Sequence, residues 1–241
     1  MTDRTATALR EGTMSITERE IFEPDGRAIP YSDEGAGPAL VLLPARGLDI
    51  TYLGTLASVL VEEDFRVVQV GSRRSADGPI TMHDLAQDVV DVMDRLGIDH
   101  AWIGGHAFGG AVARTVALDH HDRANGVLLL GVEAATPESA SDPTPEHEFL
   151  ARARDAAIDA MQAAALAATP EAEWATVAPG LPALIIQGSD DAITPTANGE
   201  QLQASAPDRA SVVSIDGGGH LFLSTHAGHT AAVIEDYLDW D

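Results

Sequence analysis

Cysteine is absent from this chain, so neither a disulfide framework nor thiolate chemistry is open to it. Basic residues are scarce: 14 Lys and Arg face 38 Asp and Glu, for a formal net charge of −24. A surface of that sign repels nucleic acid and anionic membranes, and neither is expected as a partner. A well-solvated surface accounts for the acidity and makes the few cations more informative than the many carboxylates. Aromatic residues amount to 5%, so contact with an apolar ligand falls mainly to aliphatic side chains. No apolar stretch approaches the ~20 residues that a membrane helix needs. Met1-Thr2-Asp3-Arg4 leads into no hydrophobic run of the kind that opens a secretory signal. The expectation is a cytoplasmic enzyme, monomer or homodimer, acting on a small molecule without metal or cofactor.

The 241 residues are 45% hydrophobic, enough for one sizeable core. Residues 1–13 are polar and aperiodic and read as an N-terminal extension, with Met14 as an alternative start. Residues 19–22 and 28–31 flank Pro24-Asp25-Gly26 and suggest a hairpin. Residues 39–43 are uniformly apolar, as a parallel strand covered on both faces should be. A helical stretch at 51–63 leads to a strand at 66–70. Thr81 and Asp84 form a short capping box before Leu85, Val89, Val92, Met93 and Leu96 at helical spacing. His83, in the first turn of that helix, reads as a surface histidine. Further strands are expected at 101–103, 126–132, 183–187 and 210–215, with helices at 108–119 and 230–240. Strands alternating with helices imply an α/β fold with a mostly parallel sheet.

Residues 134–180 break this rhythm. A Ser, Pro, Asp and Glu-rich loop at 136–147 precedes an alanine-rich helical run at 149–168. This insertion divides the single domain into core segments 14–133 and 181–241. It reads as a lid over the strand C-termini, or as a helix merely packed on the sheet.

Gly105-His106-Ala107-Phe108-Gly109 has the frame of a nucleophile elbow, G-x-S-x-G, with alanine where the serine belongs. That frame forces a sharp strand-to-helix turn and raises the central side chain over the sheet. A methyl group cannot attack a carbonyl, so the usual covalent step is closed to this chain.

Four pieces in fixed order resemble the α/β-hydrolase fold family, from about residue 15 to the C-terminus. They are the elbow strand and helix, the link 119–129 into the next strand, Gly188-Ser189-Asp190-Asp191-Ala192-Ile193-Thr194-Pro195, and Gly217-Gly218-Gly219-His220. The resemblance implies a mostly parallel eight-stranded sheet with helices on both faces and a small helical lid. It also implies a nucleophile, acid, histidine order. Position 107, the acid and His220 would then stand 84 and 29 residues apart. Asp191, three residues past Gly188, fits the acid, with Asp190 the alternative. His220 would be the base, its tautomer held by the acid. The N–H of Phe108 would be one oxyanion donor. The other would come from Pro44-Ala45-Arg46-Gly47, where the family usually has His-Gly, and falls to Arg46. His106 would be structural.

Two departures surround the elbow: the 44–47 loop, and Gly71-Ser72-Arg73-Arg74-Ser75 where the family tends to Asp-x-x-Gly-x-Gly. Arg46, Arg73 and Arg74 on these loops either bind an anionic substrate group or pair with the abundant carboxylates. Arg46, Glu133, Phe149 and Met161 are candidate substrate contacts, and Glu133 is also an alternative acid. Ala107 is either native or a replaced serine. Correlated departures around one site, and a bacterial subset of the family in which Gly-His-Ala-Phe-Gly occurs, favour the former. Three functions stay open. One is a hydrolase of an ester, lactone or related bond. Another is a cofactor-free lyase, isomerase or oxygenase using His220 and Asp191 as base. The third is a non-catalytic small-molecule binder.

Overall fold

A computed structural model describes residues 19–74, 78–134 and 144–238. The expected N-terminal extension and most of the 136–147 loop lie outside the described residues. Eight strands form one sheet. They are β1 (Glu20–Phe22), β2 (Ile29–Glu34), β3 (Ala39–Leu43), β4 (Arg66–Val70), β5 (Ala101–His106), β6 (Ala124–Leu130), β7 (Ala183–Gly188) and β8 (Ala210–Ile215). Their order is β1-β2-β4-β3-β5-β6-β7-β8. β1 and β2 form the expected hairpin, and β2 runs antiparallel to β4. From β4 to β8 every pairing is parallel.

Alternate residues of the strands feed two cores. Val41, Leu43, Ile103, Val127, Leu129 and Ile185 face one side. They pack there with α2 (Met82–Arg95), α3 (Phe108–Asp119) and α6 (Thr196–Ser205). Leu40, Leu42, Leu128, Leu184 and Ile186 face the other, against α1 (Gly54–Glu62), α7 (Phe222–Thr225) and α8 (Ala227–Leu238). Thr81 and Asp84 cap α2 reciprocally as expected.

The inserted helical run is two helices, not one. α4 (Pro145–Ala153) and α5 (Ala156–Ala168) are separated at Arg154 and Asp155. Asp155 has extended φ/ψ, and its carboxylate accepts from the N–H groups of Ala157 and Ile158. An N-cap aspartate starts a new helix because it satisfies donors that the preceding turn cannot. Among the described residues, no helix is long and apolar enough to cross a membrane.

Candidate active site

The elbow exists. β5 ends at His106, α3 begins at Phe108, and Ala107 between them has φ +48° and ψ −108°. A non-glycine residue at positive φ stores about 1–3 kcal/mol of strain. The surroundings hold it there: Ala107 N–H donates to Leu130 O at 2.9 Å, and Gly110 N–H donates to Ala107 O at 2.9 Å. The flanking glycines are needed for close approach. A Cβ on Gly105 would overlap the Gly109 backbone, and one on Gly109 would overlap the Leu43 carbonyl.

His220 arrives on the loop between β8 and α7, and is buried. Its Nδ1 lies 3.0 Å from Asp191 Oδ2 and 3.2 Å from Oδ1. Asp191 also accepts from the Thr194 hydroxyl and, at 2.8 Å each, from the N–H groups of Ile193 and Thr194. Burial pushes the Asp191 carboxyl up. Hydrogen bonding and charge from His220, with the Thr194 donors, outweigh it and leave the acid below its ordinary range. The adjacent Asp190 is exposed, and takes only the Ser189 hydroxyl. Of the two aspartates, Asp191 is the one that reaches His220.

His106 lies beneath. Its ring centroid is 4.5 Å from that of His220, and its Nδ1 is 3.3 Å from the Tyr52 hydroxyl. Burial, then the charge of His220, depress His106 well below the ordinary histidine value. Burial also raises the Tyr52 phenol, with the charges of Glu146 and Asp191 acting the same way.

Phe108 opens α3 directly after the elbow, and Arg46 lies on the loop that follows β3, the two positions expected of the oxyanion donors. The Arg46 side chain goes elsewhere: its Nε donates to Asp159 of α5 at 3.0 Å. Arg73 grips buried Asp88, and Arg74 lies 3.5 Å from Asp155. All three rim arginines are therefore paired with aspartates, the pairing alternative of the sequence reading. Glu133 lies three residues past the end of β6. Burial raises its carboxyl, opposed by the charges of Arg46, Arg154, His220 and Arg114. It lines a cavity of about 540 Å³ with Arg114 and Asn198.

Two of the candidate substrate contacts, Phe149 and Met161, sit apart from Ala107. Phe149 is 46% exposed, and its neighbour Leu150 turns inward at 2% to pack with Ala45, Leu48 and Ala107. One helical step, about 100°, separates the two directions. Met161 lines a separate cavity of about 360 Å³ with Arg73, Arg74 and Ile158. Sequence reasoning missed Glu146, whose carboxylate accepts the N–H groups of His220 at 3.0 Å and Leu221 at 2.9 Å. It also missed buried Gln162, which accepts from Gly47 N–H at 2.7 Å and donates to the Ser72 hydroxyl. Gln162 had left a signal, as a lone amide in an alanine-rich run.

A family model described as the alpha/beta hydrolase fold matches residues 63–158, and one described as TAP-like protein matches residues 142–240. Together with the strand order and the elbow, these decide the family. The chain belongs to the α/β-hydrolase fold family. Among solved structures of that fold, a thermophilic esterase from Thermogutta terrifontis superposes with a TM-score of 0.77 at 22% identity, covering 92% of this chain and 98% of its own. A zearalenone hydrolase of Bionectria ochroleuca is 30% identical over 121 residues, 46% of each chain. A 2-heptyl-3-hydroxy-4-quinolone dioxygenase of Rhodococcus erythropolis is 35% identical over 102 residues, 39% of this chain and 37% of its own. The chain spans under half the length of these two curated relatives.

Proposed function

We propose that this α/β-hydrolase-fold chain turns over a small carbonyl compound, an ester or lactone foremost, with His220 as base and no covalent acyl intermediate. One observation carries the reading. The His220–Asp191 pair is intact and buried while position 107 offers only a methyl. A non-catalytic binder has no need of an oriented base. With Nδ1 held by Asp191, Nε2 of His220 is left to take a proton from water as it attacks the carbonyl. The N–H groups of Phe108 and Arg46 would receive the charge that develops on the carbonyl oxygen. The departures at 44–47 and 71–75 favour Ala107 as the native residue. A serine hydrolase stripped of its nucleophile would keep the family's other loops.

The test is turnover of a panel of short esters and lactones by the unaltered chain and by His220→Ala. A loss of about two to four orders of magnitude is expected, with no acyl adduct by mass spectrometry. Unchanged turnover in His220→Ala removes the base from the mechanism.

The dioxygenase relative favours a second reading, cofactor-free oxygenation. The same pair would deprotonate an acidic ring hydroxyl, and dioxygen would then react with the resulting anion. Oxygen consumption with a 3-hydroxy-4-quinolone separates the two. Tight binding of a metabolite without turnover, and unaffected by His220→Ala, would establish a binder instead.

A further inference from the structure

The two lid helices are fastened unequally. α5 is tied to the core by Gln162 on Gly47 and Ser72, by Asp159 on Arg46, and by Asp155, whose N–H donates to Gly47 O and whose carboxylate meets Arg74. Among the described residues, α4 has one polar tie to the core, the Glu146 carboxylate on two successive backbone N–H groups. Those groups belong to His220 itself and to Leu221. Gly219 makes room, since a Cβ there would lie 2.6 Å from Glu146 Oε1. Glu146 and Leu150 stand four residues apart and so share a helical face. Leu150 packs in one apolar cluster with Ala107, a residue only 7% exposed. With α4 seated on the histidine loop and Leu150 packed beside position 107, the inserted helices are closed over the elbow in this structure.

We propose that Glu146 is a positioning residue that couples closure of α4 to the placement of His220. Its carboxylate supplies two acceptors to two donors, which fixes the histidine loop and brings Leu150 over position 107 together. Release of the carboxylate lifts α4, opens the way to position 107 and frees the loop that carries the imidazole. The site is complete only with the lid down. This deepens the reading of His220 as base and rests on it for its consequence in turnover. The tie itself is testable without turnover.

Because the chain has no cysteine, Ala107→Cys introduces a single thiol under Leu150. Its reaction with dithiobis(nitrobenzoate) reports opening of the lid. Its pH dependence reports the neighbouring imidazole, which lowers a thiol's pKa. The comparison is Ala107→Cys alone and combined with Glu146→Gln, Glu146→Asp or Glu146→Ala. Glutamine matches glutamate in shape, but turns one acceptor into a donor that faces an N–H. Glu146→Gln should label about 10- to 100-fold faster, as expected for loss of a charge-assisted contact. Its labelling profile should also shift up toward the ordinary thiol value of about 8.5. Glu146→Asp should restore part of both effects. A merely structural lid contact would change the rate and leave the profile in place.

Equal rates and equal profiles in the single and double variants overturn the proposal. So does a faster rate with an unmoved profile. Should Glu146→Ala fail to fold, hydrogen exchange in the unaltered chain decides. The His220 and Leu221 amides should be protected, and exchange at the rate of an open loop overturns the proposal. If turnover proves independent of His220, the base assignment fails, while the thiol data still decide the tie.

Discussion

Ala107→Ser is the perturbation that asks most of the site. It adds one oxygen to a methyl enclosed by Ala45, Leu48 and Leu150. The strained elbow backbone already exists, with φ +48° at Ala107. Nδ1 of His220 is engaged by Asp191, so Nε2 is left for the new hydroxyl. A buried hydroxyl with a partner gains about 0.5–1.5 kcal/mol net, whereas one without a partner costs about 1–3 kcal/mol. For a chain of this size, about 1 kcal/mol moves Tm by roughly 2–4 °C. A Tm within about 2 °C of the parent therefore reports a serine bonded to His220, and a larger fall reports an orphaned hydroxyl. Loss of serine from a complete triad costs about 10⁶ in kcat. The 44–47 loop departs from the family pattern, so a gain of about 10³-fold on p-nitrophenyl acetate is the expectation. A serine-directed fluorophosphonate should label the variant, and adding His220→Ala should abolish both signals. A folded serine variant that neither hydrolyses the ester nor takes the label would refute the geometry read here for position 107, His220 and Asp191.

Three further outcomes follow from the packing. Arg73→Ala leaves buried Asp88 to Arg27 alone, and should cost about 3 kcal/mol in urea unfolding; a change under about 1 kcal/mol would show the Arg73 tie to be dispensable. His83 lies between Asp119 at 2.6 Å and Glu173 at 2.8 Å, and hydrogen bonding to Asp119, then to Glu173, raises its pKa. The folded value exceeds the unfolded one, so this support is fully present below about pH 6.5 and fades as pH rises through the folded value. His83 is 39% exposed on its side chain, so the effect is modest. The urea midpoints of parent and His83→Gln should differ at about pH 5 and converge at about pH 9; a constant gap would remove the protonated form from the account. Gly105→Ala drives a methyl into the Gly109 backbone and should lose at least about 3 kcal/mol or fail to give soluble protein. A Tm unchanged from the parent would mean that the elbow tolerates a wider turn.

Much of the frame was readable from local pattern. The bounds of β3, β4, β8 and α3 match the expected residues, because apolar runs and helical periods are set by near neighbours. The Thr81–Asp84 box was readable for the same reason, since its partners are three residues apart. The elbow was legible because its glycines answer to backbone overlap within a single turn. His220 and an acid from the 190–191 pair were legible as loop residues after strands. Which aspartate would meet His220 was not. Asp190 and Asp191 have nearly the same sequence surroundings, and only the return of the 217–220 loop, 29 residues on, selects Asp191. The inserted helices show the same limit. Helical periodicity could not say that Leu150 turns in and Phe149 out, because the face α4 presents is set by what lies beneath it. Arg46 was placed by its loop, but its side chain was claimed by Asp159, 113 residues away. The partners of Glu146 lie 74 and 75 residues away, on backbone N–H groups that no side-chain pattern records. Backbone conformation follows from short-range sterics and patterning, which a sequence carries openly. The direction of a polar side chain follows from whichever distant donor or charge the fold brings within about 3 Å, and that is decided only when the chain has closed on itself.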